Sequence, residues 1–135
     1  MKKILFLFMI VLLLVSCHKD KPIVVQPYIP ADLIGKWKIT EIFDTDGGSA
    51  PLWRVYNTAE EYDIWFKDNS DYTQPGTSTC YAGKYSVSEA LKITFVNSCG
   101  DISIETIDSL SAHELIIDAN WFEFMKTRYV KVAEY

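Results

Sequence analysis

Few side chains in this 135-residue sequence could carry out chemistry, and its three cysteines are the most informative of them. Two histidines accompany them, His18 near the N-terminus and His113 in the second half of the chain. No sequence neighbour marks His113 as a catalytic base, and no serine elbow, metal-ligand spacing or phosphate-binding loop is present. We therefore predict a protein that is not an enzyme and that needs neither cofactor nor metal.

Cys17 ends a segment that is typical of bacterial secretion signals. Lys2 and Lys3 precede an uncharged apolar run over 4–15, which is shorter than the roughly 20 residues that a membrane-spanning helix needs. The run ends in the letters LVSC, which resemble the lipobox of bacterial lipoproteins. The sequence therefore predicts a signal peptide over 1–16, cleavage before Cys17, and acylation of the Cys17 thiol.

Acylation at Cys17 would anchor the mature chain, because two or more acyl chains hold a protein stably on a bilayer. His18 stands where an aspartate would resemble an inner-membrane retention signal, so we expect the outer membrane, on either its periplasmic or its outer face. The lipidated Cys17 begins a proline-rich stretch over 17–31, which we interpret as a semi-extended tether. One domain over 32–135 follows it.

The charge of the mature chain excludes some partners. Removal of Lys2 and Lys3 with the signal peptide takes the formal charge from −5 to −7. An acidic chain without clustered lysine and arginine is not expected to bind nucleic acid or anionic lipid headgroups. Aromatic residues make up 14% of the sequence, which predicts either a bulky core or stacking surfaces.

Cys80 and Cys99 remain as an even pair in an oxidising compartment, which predicts a disulfide. A hairpin that places Tyr85 opposite Ile93 puts the two cysteines one residue out of register. A single bulge near 97–98 would bring them opposite each other. A metal site would need more ligands than two cysteines and one histidine supply.

From Leu33 onward apolar residues recur with period two, which is typical of half-buried strands. In the segment that contains Ile102 and Ile104, we expect these isoleucines to form the apolar face. We interpret 52–58 as a loop crossing one barrel end, and 31–34 as a short helical turn. The predicted strands are 35–44, 61–67, 71–75, 83–88, 91–97, 101–107, 113–118 and 121–133.

Eight antiparallel strands joined by short turns predict an all-β fold. Closure into an up-and-down barrel would leave no unpaired edge, so we favour it over a two-sheet sandwich.

The triplet Gly35-Lys36-Trp37 at the start of the first strand resembles the Gly-x-Trp signature of lipocalins. With the lipobox and the tether, residues 32–135 resemble the small lipocalin-like lipoproteins of Gram-negative bacteria, which are eight-stranded barrels. The resemblance implies that an arginine late in the last strand packs on Trp37, and Arg128 has the matching position. The chain departs from lipocalins in lacking their Thr-Asp-Tyr motif and in being short.

The resemblance implies a small hydrophobic ligand in the barrel or at its mouth. An eight-stranded barrel either fills with side chains or holds one small ligand. The alternative is a surface module that binds a glycan or a partner lipoprotein through outward aromatics such as Trp53 and Trp65. The residues predicted to face the interior are Trp37, Ile39, Tyr62, Phe66, Tyr85, Phe95, Phe124 and Arg128.

Overall fold

The computed structural model describes residues 28–44, 50–119 and 125–133. The predicted signal peptide, Cys17, most of the tether, and Phe124 lie outside these ranges. Two 3₁₀ turns, at Ala31–Leu33 and Thr79–Tyr81, accompany the strands. The described strands are β1 Gly35–Asp44, β2 Leu52–Val55, β3 Ile64–Phe66, β4 Asp71–Thr73, β5 Ala82–Val87, β6 Lys92–Asn97, β7 Ile102–Leu110, β8 Glu114–Asp118 and β9 Lys126–Ala133.

All of these strands belong to one antiparallel sheet, and the pairing of β1 with β9 closes it into a barrel. From β3 to β9 each strand pairs with the next one along the chain, so the topology is a meander. The prediction of an eight-stranded up-and-down barrel is confirmed. The helical turn predicted at 31–34 is confirmed as well.

The second strand of the barrel is split into two pieces, β2 and β3. Trp37 pairs with Ile64 of β3, whereas Glu41 pairs with Val55 of β2. Both residues of β1 also pair with β9, so β2 and β3 share its other edge. The prediction of a loop over 52–58 is therefore wrong for β2. None of the four residues of this strand is buried, so its sequence does not show the alternation of apolar and polar residues that indicates a strand.

An excursion over 56–63 interrupts this split strand, and side chains hold it against β1. The Lys38 ammonium donates to the Thr58 carbonyl at 3.1 Å and to the Glu60 carbonyl. The Asp63 carboxylate accepts the Ile39 N–H at 2.6 Å. The Asp63 carboxylate thus takes the place of a strand carbonyl for β1, and Lys38 provides a donor for two carbonyls of the excursion.

One end of the barrel is closed by the segment that leads into β1. Leu33 in the 3₁₀ turn and Trp37 are completely buried. Tyr28 forms a bridge with Val87, and Ile29 packs against the core. Tyr28 and Ile29, which fall within the stretch predicted as a tether, therefore contact the barrel.

Lys131 is the cation that packs on the signature tryptophan. Its ammonium lies 4.9 Å from the Trp37 ring centroid, and it donates to the carbonyls of Asp32 and Ile34 at 2.8 and 2.9 Å. The Trp37 Nε1 donates to the Leu33 carbonyl at 2.8 Å. Strand β9, the 3₁₀ turn and β1 are thus joined at the closed end.

The prediction that Arg128 packs on Trp37 is wrong. The inward face of β9 contains Tyr129, which pairs with the fully buried Leu115, so Arg128 one residue earlier points outward. Its guanidinium carbon lies 4.3 Å from the Trp53 ring centroid, and it forms an ion pair with Glu41. On the outer surface, the arginine of β9 therefore contacts side chains of both β1 and β2.

Replacing Lys131 with methionine is expected to lower the free energy of unfolding by about 1–2 kcal/mol, because a cation over an indole and hydrogen bonds from a charged donor are both lost. Methionine keeps much of the apolar stem. Urea denaturation followed by circular dichroism measures the change, with Lys92→Met on an exposed position as the control. Equal stability of the two variants would contradict the role given to Lys131.

Candidate functional site

The two halves of the barrel differ in how they are filled. Toward the closed end, Trp37, Phe66 and Tyr85 are buried, and the Phe66 and Tyr85 ring centroids lie 5.0 Å apart. Tyr72 and Phe95 lie above them, with centroids 5.0 Å apart and the rings nearly perpendicular. Side chains thus fill the closed half, as aromatic residues of 150–250 Å² each can do.

The open half contains a cavity of about 350 Å³. Tyr72 and Phe95 form part of its wall, and the rest comes from β3, β6, β7 and β9 and from the loop over 74–81. The described residues that line it are Ile64, Tyr72, Gln74, Cys80, Tyr81, Phe95, Asn97, Ser103, Glu105 and Tyr129. The lining combines aromatic faces with amide, hydroxyl and carboxyl groups.

Glu105 is the acidic member of this lining. It pairs across the sheet with the fully buried Ile93, and cross-strand partners point to the same face, so the carboxyl group faces the interior. Burial raises the pKa of Glu105 above its ordinary value. None of the described lining residues is a lysine, arginine or histidine that could form an ion pair with it.

The charge of Glu105 acts on two tyrosines of the lining. Burial, and then the Glu105 charge, raise the pKa of Tyr72. The same two causes, followed by the charge of Asp63, raise the pKa of Tyr129. Both phenols therefore keep their protons at physiological pH, and both can donate hydrogen bonds into the cavity.

The rim of the cavity is a compact loop over 74–81 that a disulfide fixes. Gln74 donates its backbone N–H to the Tyr81 carbonyl at 2.6 Å. Cys80 and Cys99 are bonded, with their Cα atoms 5.2 Å apart, so the predicted disulfide is confirmed. Gly76 adopts a φ of +139° beneath the Tyr81 ring, where a Cβ atom would collide with that ring. A backbone hydrogen bond, a disulfide and a close packing contact thus hold the rim in one conformation.

The hairpin register predicted for this region is wrong by two residues. Tyr85 pairs with Phe95, not with Ile93. The turn begins at Ser88 and includes Leu91, which has a φ of +55°. Cys80 reaches its partner through a 3₁₀ turn, so no bulge near 97–98 is required.

The structure separates the predicted interior residues into several groups. Trp37, Phe66 and Tyr85 lie in the filled half, Phe95 lines the cavity, and Ile39 is half-buried. Phe124 is outside the described residues.

The prediction that Tyr62 faces the interior is wrong. The strand begins two residues after it, so the period-two pattern does not extend to this tyrosine. Its ring lies outside, 6.5 Å from that of Trp65, and Lys36 lies over it at 5.0 Å.

The sequence interpretation missed the polar residues that line the cavity. On β7 the expected alternation is inverted, because Ile102 and Ile104 are 66% and 55% exposed while Ser103 and Glu105 line the cavity. Only the structure reveals this, through the pairing of the polar residues Ser103 and Glu105 with Phe95 and Ile93 on the neighbouring strand.

Trp53 and Trp65 lie on the outer surface, and cationic side chains lie over their rings. Arg128 lies over Trp53, and the ammonium groups of Lys36 and Lys67 lie 5.2 and 4.6 Å from the Trp65 centroid. The two indoles contact separate sets of cationic side chains.

The described residues offer little other chemistry. His113 is exposed in the turn between β7 and β8. Over the described ranges no group of three or more His, Cys, Asp or Glu side chains is arranged to bind a metal ion. In the same part of the chain, no helix has the length and apolar character that crossing a membrane requires.

Replacing Glu105 with glutamine is expected to raise the free energy of unfolding at neutral pH by about 1 kcal/mol, because the half-buried carboxylate loses part of its hydration in the folded state. The raised pKa means that the folded chain holds this proton more tightly than the unfolded chain does. The carboxylate therefore costs no stability below the ordinary glutamate pKa of about 4, and its cost develops as pH rises through the folded pKa.

Urea denaturation at several pH values tests this prediction. The difference between wild type and Glu105→Gln should be close to zero at low pH and should grow toward neutrality. Glu89→Gln removes the same charge from an exposed turn and serves as the control. A glutamine variant less stable than wild type at neutral pH would contradict the prediction.

A family model described as a lipocalin-like domain matches residues 33–117, which is more than half of the chain. The match begins at the buried Leu33 of the closed end and finishes in β8, so it includes most of the strands around the cavity. Comparisons with curated proteins and with solved structures give no match.

Proposed function

The chain belongs to the family of lipocalin-like domains, and from this membership we propose that it binds a small ligand in the open half of its barrel. The cavity of about 350 Å³ is the observation that carries the proposal. Ligand pockets range from about 300 to 1,000 Å³, so this one suits a ligand at the small end of the range. The filled closed half limits how deeply a ligand can enter.

The lining gives the ligand a mixed character. Tyr72, Phe95 and Tyr129 offer apolar surface, while Gln74 and Asn97 offer hydrogen-bonding groups near the rim. Binding sites of this kind use apolar walls for affinity and a few polar groups for orientation. We propose binding without catalysis, so the site needs neither a nucleophile with a base nor a cofactor.

We also propose that the domain acts while anchored to a bilayer through acylated Cys17. This part rests on the sequence alone, on the LVSC segment and the charged and apolar residues before it. With His18 after the cysteine, we place the anchor in the outer membrane. The ligand would then be bound close to the membrane surface.

The alternative of a surface module for glycans or partner lipoproteins has less support. Stacking on a sugar requires an open aromatic face, and cationic side chains lie over both Trp53 and Trp65. A ligand would have to displace them.

Native mass spectrometry of the protein purified from the cell envelope tests ligand binding. We expect the wild-type chain to retain a small-molecule adduct. Ser103→Phe would fill the cavity from β7 and abolish the adduct, whereas Ile102→Phe, on the exposed face of the same strand, would keep it. A wild-type chain without an adduct, or an adduct that Ser103→Phe leaves in place, would contradict the proposal.

A further inference from the structure

In the described part of the chain, the cavity contains a carboxyl group without a cationic side chain beside it. Glu105 faces it, and no lysine, arginine or histidine occurs among the described lining residues. Asp63 lies close enough that its charge also acts on Tyr129, and its carboxylate binds a backbone N–H, not a cationic side chain. A carboxylate that is partly withdrawn from water is stabilised by an opposite charge.

Several cations on the strands around the cavity are engaged elsewhere, and Arg54 of β2 pairs with Asp44 at 3.0 Å. Lys38 holds the excursion over 56–63, and Lys126 pairs with Asp108 on the outer surface. Arg128 also points outward, where it binds Glu41. None of these cations lines the cavity, so a bound ligand can supply the countercharge of Glu105.

Aromatic rings line the same cavity as Glu105. Tyr72 and Phe95 meet edge to face, and Tyr129 lines the cavity with them. Aromatic faces attract cations through their quadrupole, and this attraction grows when water is excluded. A carboxylate beside several rings is a suitable environment for an ammonium group attached to an apolar body.

We propose that the cavity binds a small organic cation, with Glu105 as its countercharge and the rings of Tyr72, Phe95 and Tyr129 around its ammonium group. The proposal rests on the proposed function and specifies the chemical class of the ligand. It distinguishes this barrel from one that stores neutral or anionic lipids, because Glu105 and Asp63 would repel a ligand carboxylate. The acidic mature chain would also attract cations.

Isothermal titration calorimetry with three matched probes tests the charge of the ligand. The probes are 2-phenylethylammonium, 2-phenylethanol and 3-phenylpropionate, which share an aromatic body and differ in charge. The full processed chain is held in nanodiscs of neutral phospholipid, and empty nanodiscs give the background heat. We expect the cation to bind at least tenfold more tightly than either of the other probes.

Glu105→Gln should lower the affinity for the cation at least tenfold and leave the affinity for the alcohol unchanged. Glu89→Gln should bind all three probes as the wild type does. The proposal is overturned if the phenylpropionate or the alcohol binds as tightly as the cation, if Glu105→Gln retains the preference, or if none of the probes binds. In these cases the native mass spectrum still decides separately whether the barrel binds a ligand at all.

Discussion

Replacing Trp37 with alanine is expected to lower the free energy of unfolding by about 3–5 kcal/mol, the largest loss that we predict for any single substitution. The indole is completely buried, and it fills the closed end of the barrel. Its Nε1 holds the Leu33 carbonyl, and its face receives the Lys131 ammonium. Alanine would leave a cavity and would free both partners.

Urea denaturation followed by circular dichroism gives the size of this loss. Trp65→Ala removes the same side chain from the outer surface and is the matched control, for which a loss of about 1 kcal/mol or less is expected. Similar losses in the two variants would show that the closed end does not depend on Trp37.

Removing the disulfide by the double substitution Cys80→Ser and Cys99→Ser is expected to lower the free energy of unfolding by about 3 kcal/mol. The two cysteines are 19 residues apart, and cross-linking a loop of this size restricts the unfolded chain. The rim over 74–81 would also lose its covalent link to the turn that follows β6. Ligand retention should therefore fall together with stability.

The measurement compares denaturation midpoints with and without a thiol reductant. Wild type should shift to the stability of the double variant when reductant is present, and the double variant itself should not respond. A wild-type midpoint that is insensitive to complete reduction would contradict the prediction.

The sequence was sufficient to predict the barrel and the disulfide, but not the register that connects them. Period two in residue type reports which face of a strand is buried, and this holds for Trp37, Phe66 and Tyr85. The turn that sets the register contains Leu91 in a left-handed conformation, which residue type does not signal because leucine rarely adopts it. The register was therefore wrong by two residues, while the inward face was right.

Alternation also fails as a guide where a strand departs from regular pairing. The register of β1 against β9 shifts between Ile39 and Glu41, and Glu41 consequently lies on the same outer face as Arg128. Val130 and Val132 are apolar and yet exposed, so simple alternation favours the wrong inward face for β9. Lys131 was missed as the partner of Trp37 for this reason.

The polar cavity could not be predicted from rules that assume an apolar interior. Such rules assign Ile102 and Ile104 to the core and Glu105 to the solvent. The structure has the reverse, because the open half of the barrel encloses space and not packed side chains. Exceptions of this kind are expected at functional sites.

The closure between β1 and β9 has a consequence for how the chain folds. Most strand pairings in the described sheet join near neighbours, but this one brings residues 36–43 to residues 126–133. Long-range closure costs chain entropy before it gains contacts, which slows folding. Since a chain is synthesised from its N-terminus, β1 keeps an unpaired edge until β9 has emerged, and this edge is open to pairing with other chains throughout that interval.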